Sequence, residues 1–136
     1  MAAECIFCRI VKGEIPCFTV FEDSSVLAFL DIGPVNFGHT LVITKKHYAD
    51  FLDMPEKAIA HVFTAAQKIA PAVMKGTSAG GFNIGMNNRK ASGQIVFHAH
   101  LHIIPRFEGD GLKLWPGKRY NEGEAEKVKD SIRKSL

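Results

Sequence analysis

The 136-residue sequence has no apolar run approaching the ~18 residues that a membrane-spanning helix requires. It has no internal repeats and no low-complexity tracts, which argues against a repeat protein or a disordered chain. The first residues, 1–4, include neither the basic region nor the apolar stretch of a secretory signal. These absences predict a globular cytoplasmic protein without a membrane partner.

Cysteines are few, and no block of like charge occurs. Three cysteines are an odd number and a poor basis for a disulfide scaffold, so metal binding has to be considered first. The formal net charge is only +3, and the basic residues are dispersed. This balance favours an anionic small molecule over nucleic acid as a partner. A chain of this length buries about two-thirds of its unfolded surface, which suits one domain over residues 1–136.

The order of the predicted elements favours an α+β fold. Strand-forming residues occupy the segments 18–22, 26–31, 39–44, 82–87 and 96–105. Apolar residues recur at helical spacing over 56–75, where Asp53 is the predicted N-cap and Pro55 the first helical residue. Short helices are predicted at the two ends, over 4–12 and 122–135. Strands that come first as a group, with one helix inserted late, argue for an antiparallel sheet.

The segment 97–105 carries three histidines that alternate with apolar residues. Because neighbouring side chains on a strand point to opposite faces, His98, His100 and His102 are predicted to share one face. The alternate residues, Phe97, Ala99, Leu101 and Ile103, are then predicted to face the core. A histidine side chain can attack, donate a proton or bind metal near neutral pH, so this row indicates a reactive site more than a merely polar surface.

Cys5 and Cys8 form a Cys-x-x-Cys pair, which by itself supports either a redox pair or half of a zinc site. His47 and one histidine of the 97–105 segment would complete the four tetrahedral ligands of a structural zinc ion. A zinc site made by all three strand histidines is excluded, because a straight row of them spans ~13 Å. Cys17 has no partner at a suitable spacing and is predicted to be a small apolar filler.

The segment 98–104 resembles the His-x-His-x-His-x-x signature of the histidine-triad (HIT) superfamily. Further stretches resemble its Hint branch in the same order, namely residues 5–8, 13–16, 28–32, 38–43, 93–94 and 114–117. The resemblance covers about residues 4–117. It implies a HIT-like fold in which a five-stranded antiparallel sheet extends across a homodimer. It also implies that the tail, about residues 107–136, contributes to the dimer and to the active site.

Bacterial-type members of this family bind zinc, so the resemblance implies one structural zinc ion per chain. The implied ligands are Cys5, Cys8, His47 and His98. In HIT enzymes a histidine equivalent to His100 attacks phosphorus and forms a nucleotidyl-histidine intermediate, and flanking histidines, here His39 and His102, stabilise charge or transfer protons.

The resemblance further implies a purine nucleotide as the substrate, with the Asp31 carboxylate accepting hydrogen bonds from the ribose hydroxyls. The implied purine slot consists of Phe7, Ile10, Phe29 and Ile32, which from sequence alone are ordinary core residues. Candidate phosphate donors are Asn87, Gly93 and Gln94. Trp115 belongs to a Trp-Pro segment that in Hint dimers reaches the partner's site.

The predicted function is therefore that of a Hint-like purine nucleoside phosphoramidase, which hydrolyses the P–N bond of adenosine or guanosine 5′-phosphoramidates and releases the monophosphate. Two alternatives are a dinucleoside polyphosphate hydrolase and a non-catalytic, zinc-stabilised nucleotide-binding module. One residue departs from the family pattern. Ile95 occupies a position where relatives commonly have Ser or Thr, so leaving-group assistance or substrate preference is expected to differ.

Overall fold

The computed structural model describes residues 4–136 as five strands, three helices and two single 3₁₀ turns. The strands are β1 (Thr19–Glu22), β2 (Val26–Leu30), β3 (Thr40–Thr44), β4 (Gly81–Gly85) and β5 (His100–Arg106). The helices are α1 (Ile6–Val11), α2 (Glu56–Thr77) and α3 (Glu124–Lys134). Within these residues, no helix is both long enough and apolar enough to cross a membrane.

The five strands form one antiparallel sheet in the order β1-β2-β3-β5-β4. The histidine-bearing β5 therefore lies inside the sheet, between β3 and β4. In the β3–β5 ladder Leu41 is opposite His102, and Ile43 is opposite His100. The predicted α+β class, with a five-stranded antiparallel sheet, one main helix and short terminal helices, is confirmed.

One face of the sheet packs against α2, whose buried residues recur at intervals of three and four. The sheet contributes Val26, Ala28, Val42, Leu101 and Ile103 to this core. The helix contributes Ala58, Val62, Ala65, Ala66, Ile69, Ala70 and Val73. Burial of a branched side chain such as that of Ile69 contributes roughly 2 kcal/mol, so this face supplies the main core of the fold.

The opposite face has a smaller apolar cluster and a much shorter cover. Its buried members are Phe7, Leu27, Phe29, Leu41 and Ile43. Helix α1, which provides Phe7, lies over part of this face, and the Sγ atom of Cys5 caps the helix by accepting a hydrogen bond from the Cys8 N–H (3.4 Å). Because only this short helix covers the histidine face, space is left for a cavity beside His100 and His102.

The prediction for the start of the histidine strand is wrong. β5 begins at His100, not at residue 96, and Phe97 is 52% exposed instead of facing the core. Residues 96–98 form bends, and the Ala99 N–H donates to the Tyr48 carbonyl (2.7 Å), outside the sheet ladders. Strand alternation therefore cannot be extended back to Phe97.

The predicted start of α2 is also wrong in detail. Pro55 is the N-cap and not the first helical residue. Asp53 does not cap this helix, because its Oδ2 atom accepts a hydrogen bond from the Ala49 N–H (2.9 Å). Phe63 belongs to the apolar series at helical spacing, but it is 39% exposed and not part of the buried core.

The tail makes little contact with the rest of the chain. In the part of the chain that the structure describes, every residue from 111 to 136 is exposed, and α3 buries none of its side chains. Trp115 is 92% exposed.

Candidate functional site

The predicted cysteine and histidine ligands meet where α1 touches the sheet. The Cys5 Sγ and Cys8 Sγ atoms lie 3.4 and 3.6 Å from His98 Nδ1, and Cys8 Sγ lies 3.3 Å from His47 Nδ1. One ligand atom from each of these four residues lies within 4.8 Å of all the others. In a tetrahedral zinc site, with Zn–S near 2.3 Å and Zn–N near 2.0 Å, sulfur and nitrogen ligands are about 3.6 Å apart. The cluster therefore fits a single bound metal ion.

The protonation states of this cluster also suit a metal. His98 Nε2 donates to the Thr44 carbonyl (2.8 Å), which leaves the Nδ1 lone pair facing the two sulfur atoms. Burial lowers the pKa of His98 to about 4, so the ring is neutral at pH 7. Burial, aided by the hydrogen bond and charge of Cys5, raises the pKa of Cys8 to about 11. A bound dication would reverse the effect on Cys8 by stabilising its thiolate.

A second group of histidines forms a hydrogen-bonded relay. The Val35 N–H donates to His39 Nδ1 (3.1 Å), so the proton of a neutral His39 ring is on Nε2. His39 Nε2 lies 2.8 Å from His102 Nδ1, which must therefore accept. The proton of His102 is then on Nε2. Within residues 4–136, this Nε2 is the only buried side-chain nitrogen or oxygen atom without a hydrogen-bond partner.

His100 has the opposite tautomer. Its Nδ1 atom lies 2.8 Å from the His98 carbonyl, which can only accept, so Nδ1 carries the proton and Nε2 keeps a free lone pair. Burial lowers the pKa of His39 and His100, and lowers that of His102 to about 4, so all three rings are neutral at pH 7. A free nucleophilic nitrogen and a free donor consequently lie on neighbouring rings, whose centroids are 5.0 Å apart.

Asp31, His39 and His102 are close enough to be considered as a second metal site. The relay argues against this interpretation. Both ring nitrogens of His39 and the Nδ1 atom of His102 are already engaged in hydrogen bonds. A metal would have to break these bonds, so the three residues are better described as a hydrogen-bonded group than as a ligand set.

A cavity of about 600 Å³ adjoins these histidines. Its apolar part includes the four residues predicted to form the purine slot, Phe7, Ile10, Phe29 and Ile32. Its polar part includes the predicted residues Asp31, His39, Asn87, Gly93, His100 and His102. The size and the division into an apolar wall and a polar end are typical of small-molecule sites.

Two backbone positions shape the polar end. Asp31 Oδ1 accepts a hydrogen bond from the Gly33 N–H (2.8 Å), which leaves Oδ2 available to a ligand. Gly93 has φ +91°, a left-handed conformation that a residue with a side chain rarely adopts, and a Cβ there would lie 3.9 Å from Asn87 Nδ2. The loop can therefore bring its backbone and the Asn87 amide close to a bound anion.

Two predicted binding residues do not line this cavity. Gln94 is buried in its own loop, where Oε1 accepts from the Arg89 N–H (2.7 Å) and Nε2 donates to the Ala49 and Val96 carbonyls (2.7 and 3.1 Å). Because both amide hydrogens are used, this side chain holds the loop and has no donor left for phosphate. Trp115 lies on the exposed tail.

Sequence reasoning did not identify several contributors to the site. The Val35 N–H and the Thr44 carbonyl fix histidine tautomers, but backbone groups leave no sequence signal. Leu41, which lines the cavity, could have been found, because it alternates with His39 and is opposite His102 in the register. Ile95, which was expected to affect the leaving group or the substrate preference, and Cys17, which was predicted to be an apolar filler, also line the cavity. Further lining residues that were not assigned to the site are Ile6, Ile15, Pro16, Phe18, Leu30, Gly33, Val35 and Val96.

Comparison with known sequences gives a consistent result. The profile of the HIT domain matches residues 12–109. A HIT-like protein of Methanocaldococcus jannaschii is 51% identical over 107 residues, covering 79% of this chain and 82% of that protein. Adenylylsulfatase HINT3 of Arabidopsis thaliana is 41% identical over 109 residues, covering 80% of this chain and 55% of that protein.

Comparison with solved structures gives the same result as comparison with known sequences. A HIT family protein from Bacillus anthracis superposes with a TM-score of 0.88 at 41% identity, covering 100% of this chain and 99% of that chain. A zinc-bound histidine triad family protein from Mycobacterium smegmatis superposes with a TM-score of 0.79 at 36% identity, covering 100% of both chains. The domain match, the identities and the shared fold together show that this chain belongs to the HIT domain family.

Proposed function

We propose that the protein is a nucleotide hydrolase, specifically a purine nucleoside phosphoramidase that cleaves the P–N bond of adenosine or guanosine 5′-phosphoramidates. The observation that carries the proposal is the pair of complementary tautomers beside the cavity. His100 offers a lone pair on Nε2, and His102 offers an unpaired Nε2–H. A nucleophile next to a fixed donor is the arrangement that phosphoryl chemistry requires.

In the first step, His100 Nε2 attacks the α-phosphorus, the P–N bond breaks, and the amine leaves after taking up a proton from solvent, to which the second step returns one. The His100 ring becomes positively charged when its Nε2 is bonded to phosphorus. The His98 carbonyl, which already accepts from His100 Nδ1, stabilises that charge. The Nε2–H of His102 donates to the group that gains negative charge in the transition state.

In the second step, water attacks the same phosphorus and the P–Nε2 bond breaks. The nucleoside monophosphate leaves, the proton from water passes to solvent or to the phosphate, and His100 returns to its neutral tautomer. Splitting one displacement into two through a covalent intermediate lowers the barrier of each step. Asp31 would bind the ribose hydroxyls through Oδ2, and the apolar wall would hold the purine.

Ile95 lies at the cavity and is exposed, without a hydroxyl to assist the leaving group. Donation by His102 is then the protein's own contribution to leaving-group departure. The alternative substrates, dinucleoside polyphosphates, would use the same His100 attack. The name of the Arabidopsis relative, an adenylylsulfatase, supports hydrolysis of an adenylyl group more than a purely binding role.

A direct comparison of substrates tests the proposal. We expect kcat/KM for adenosine 5′-phosphoramidate to exceed that for a diadenosine polyphosphate by at least roughly tenfold, since the cavity lining offers one carboxylate, Asp31, to bind a ribose. Release of AMP measured by chromatography gives both constants. The reverse order of the two substrates would favour the polyphosphate hydrolase, and binding of AMP without turnover of either would favour the nucleotide-binding module.

We also propose that the bound metal is zinc, one ion per chain. The zinc-bound Mycobacterium smegmatis neighbour supports the assignment. The ligands would be Cys5, Cys8, His47 and His98, and the ion would supply a structural link between α1 and the sheet. The His98 carbonyl also accepts a hydrogen bond from His100 Nδ1. A metal that holds His98 in place would therefore also position the nucleophile, His100. We also propose a cytoplasmic location, in keeping with the absence of a disulfide among Cys5, Cys8 and Cys17.

A homodimer is the third part of the proposal. Strand β4 lies at an edge of the sheet, and a groove of about 1030 Å³ runs between it and α2. The groove is lined by apolar side chains that include Phe63, Met74, Phe82 and Ile84. An unpaired edge beside an apolar groove suits a second copy related by a two-fold axis, which would also bring the Trp115 tail towards the partner.

Light scattering tests the dimer. We expect a mass of about twice the 15.0 kDa of one chain, and we expect Phe82→Glu to yield monomers, because a charge would be buried in the interface. Leu52→Glu, a substitution of an exposed apolar residue outside the groove, is the control and should leave the mass unchanged. A wild-type protein of single-chain mass would contradict the proposal.

A further inference from the structure

The side chain of Asn36 joins the β2–β3 loop to the end of β5. Its Nδ2 atom donates to the Pro105 carbonyl (2.9 Å) and to Asp110 Oδ2 (3.1 Å). Both partners can only accept at neutral pH, so the orientation of the Asn36 amide is fixed. Pro105 belongs to β5, three residues after His102. The loop is therefore anchored to the strand that carries the reactive histidines.

Asp110 is itself firmly held. Its carboxylate accepts from Arg106 Nε (2.7 Å), from Arg106 Nη2 (3.1 Å) and from the N–H groups of Phe107 and Leu112 (both 3.1 Å). These bonds, with that from Asn36, hold the pKa of Asp110 well below its usual range. Arg106 Nη1 also reaches Asn83 on β4 (2.8 Å). Asn36 thus binds a rigid turn and not a flexible side chain.

Around Asn36 the loop has few other side-chain restraints, whereas Gly38, two residues further on, packs closely against Thr77 and Pro105. The neighbours of Asn36, Val35 and Phe37, are exposed, so packing of their side chains does not fix the backbone. The Val35 N–H nevertheless has to stay within hydrogen-bond distance of His39 Nδ1, and the His39 N–H donates back to the Asn36 carbonyl (3.0 Å). The Asn36 amide is the side-chain link that holds this hydrogen-bonded turn against β5.

The relay has a second possible state. Asp31 Oδ2 lies 3.7 Å from His39 Nδ1, close enough to accept a proton after a small shift. If the Val35 N–H moved away, His39 would carry its proton on Nδ1 and donate to Asp31. His39 Nε2 would then accept from His102 Nδ1, and His102 Nε2 would become a lone pair. In that state the cavity loses its donor and gains an acceptor that repels phosphate oxygens.

We propose that Asn36 is a positioning residue that selects the first of these two states, by holding the Val35 N–H against His39 Nδ1. His39 and His102 then both carry their protons on Nε2. The consequence for turnover rests on the proposed function, whereas the tautomers can be measured without any substrate. Asn36 itself lies outside the cavity lining.

Nitrogen-15 NMR of histidine-labelled, zinc-loaded protein tests the inference directly. In the wild type we expect the Nε2–H tautomer for His39 and His102, and the Nδ1–H tautomer for His100. In Asn36→Ala we expect at least a third of His39 and His102 to convert to Nδ1–H while His100 stays unchanged. Asn36→Asp, which keeps the shape but cannot donate, should act in the same direction and serves if the alanine variant is poorly folded.

Asn83→Ala is the matched control, because it removes an amide from the same network without touching Asn36 or Asp110. It should leave all three tautomers as in the wild type. Unchanged tautomers in a folded Asn36→Ala protein, or equal changes in Asn83→Ala, would overturn the inference. With a substrate, Asn36→Ala should lower kcat roughly tenfold while KM changes less than twofold, since the nucleoside contacts are intact. If no substrate is turned over, the proposed function fails, but the NMR result still decides the role of Asn36.

Discussion

Replacement of His100 with alanine is expected to lower the turnover of adenosine 5′-phosphoramidate by at least about 10⁴-fold. The reason lies in the tautomers around the cavity. His100 Nε2 is the one imidazole nitrogen there with a free lone pair. His102 Nε2 carries a proton, and both nitrogens of His39 are in hydrogen bonds. The remaining triad histidine, His98, turns its lone pair to the sulfur atoms of the cysteines.

Two variants show whether the loss is specific to the nucleophile. His102→Ala should lower turnover by about 10²- to 10³-fold, because it removes a hydrogen-bond donor but leaves the attacking nitrogen of His100. His61→Ala, which changes a histidine on α2 outside the site, should have wild-type activity and is the matched control. Near-wild-type turnover by His100→Ala would contradict the mechanism.

The covalent intermediate provides an independent check. With a substrate whose second step is slow, rapid acid quenching and peptide mass spectrometry should find a nucleotidyl group on His100. An adduct on His39 or His102 would show that the lone pairs have been assigned to the wrong rings. If the adduct forms on His100 but no product is released, the second step is blocked, and His100 is still the nucleophile.

The fold was largely predictable from local patterns, because alternation and helical periodicity reflect the two faces of the sheet. The exception at Phe97 has a specific cause. The alternating pattern continues through residues 97–99, but the Ala99 N–H donates to the Tyr48 carbonyl and not to a neighbouring strand. The strand therefore begins only at His100. A tertiary hydrogen bond of this kind cannot be read from residue types.

The candidate site was predictable to the level of residue types. The Cys-x-x-Cys pair and the histidine row indicated two clusters, and the structure places these clusters side by side. Assignment of the nucleophile on physical grounds needs the tautomers, which depend on the Val35 N–H and on the carbonyls of Thr44 and His98. Gln94 illustrates the same limit, because its amide was predicted to bind phosphate but is used by backbone groups of its own loop.

Substitution of both Cys5 and Cys8 by serine is expected to reduce bound zinc from about one ion per chain to less than about 0.1. Four ligands converge at this point from α1, from the segment after β3 and from the segment before β5, so a bound ion would join α1 to both segments. At free zinc about 1,000-fold above Kd, binding stabilises the folded state by about 4 kcal/mol. Loss of that contribution should lower Tm by roughly 10–20 °C.

Cys17→Ser is the matched control for this experiment. Cys17 is the remaining cysteine; its Sγ atom contacts Thr19 Oγ1 (3.4 Å), and it does not belong to the cluster of four ligands. Zinc content should therefore stay at about one per chain, and Tm should shift by no more than about 2 °C, as for a substitution near the surface. Removal of zinc from the wild type by a chelator should reproduce the Tm of the double-serine protein, because both treatments remove the same link between α1 and the sheet. Full zinc content in the double-serine protein, or no zinc in the wild type, would refute the assignment of the ligands.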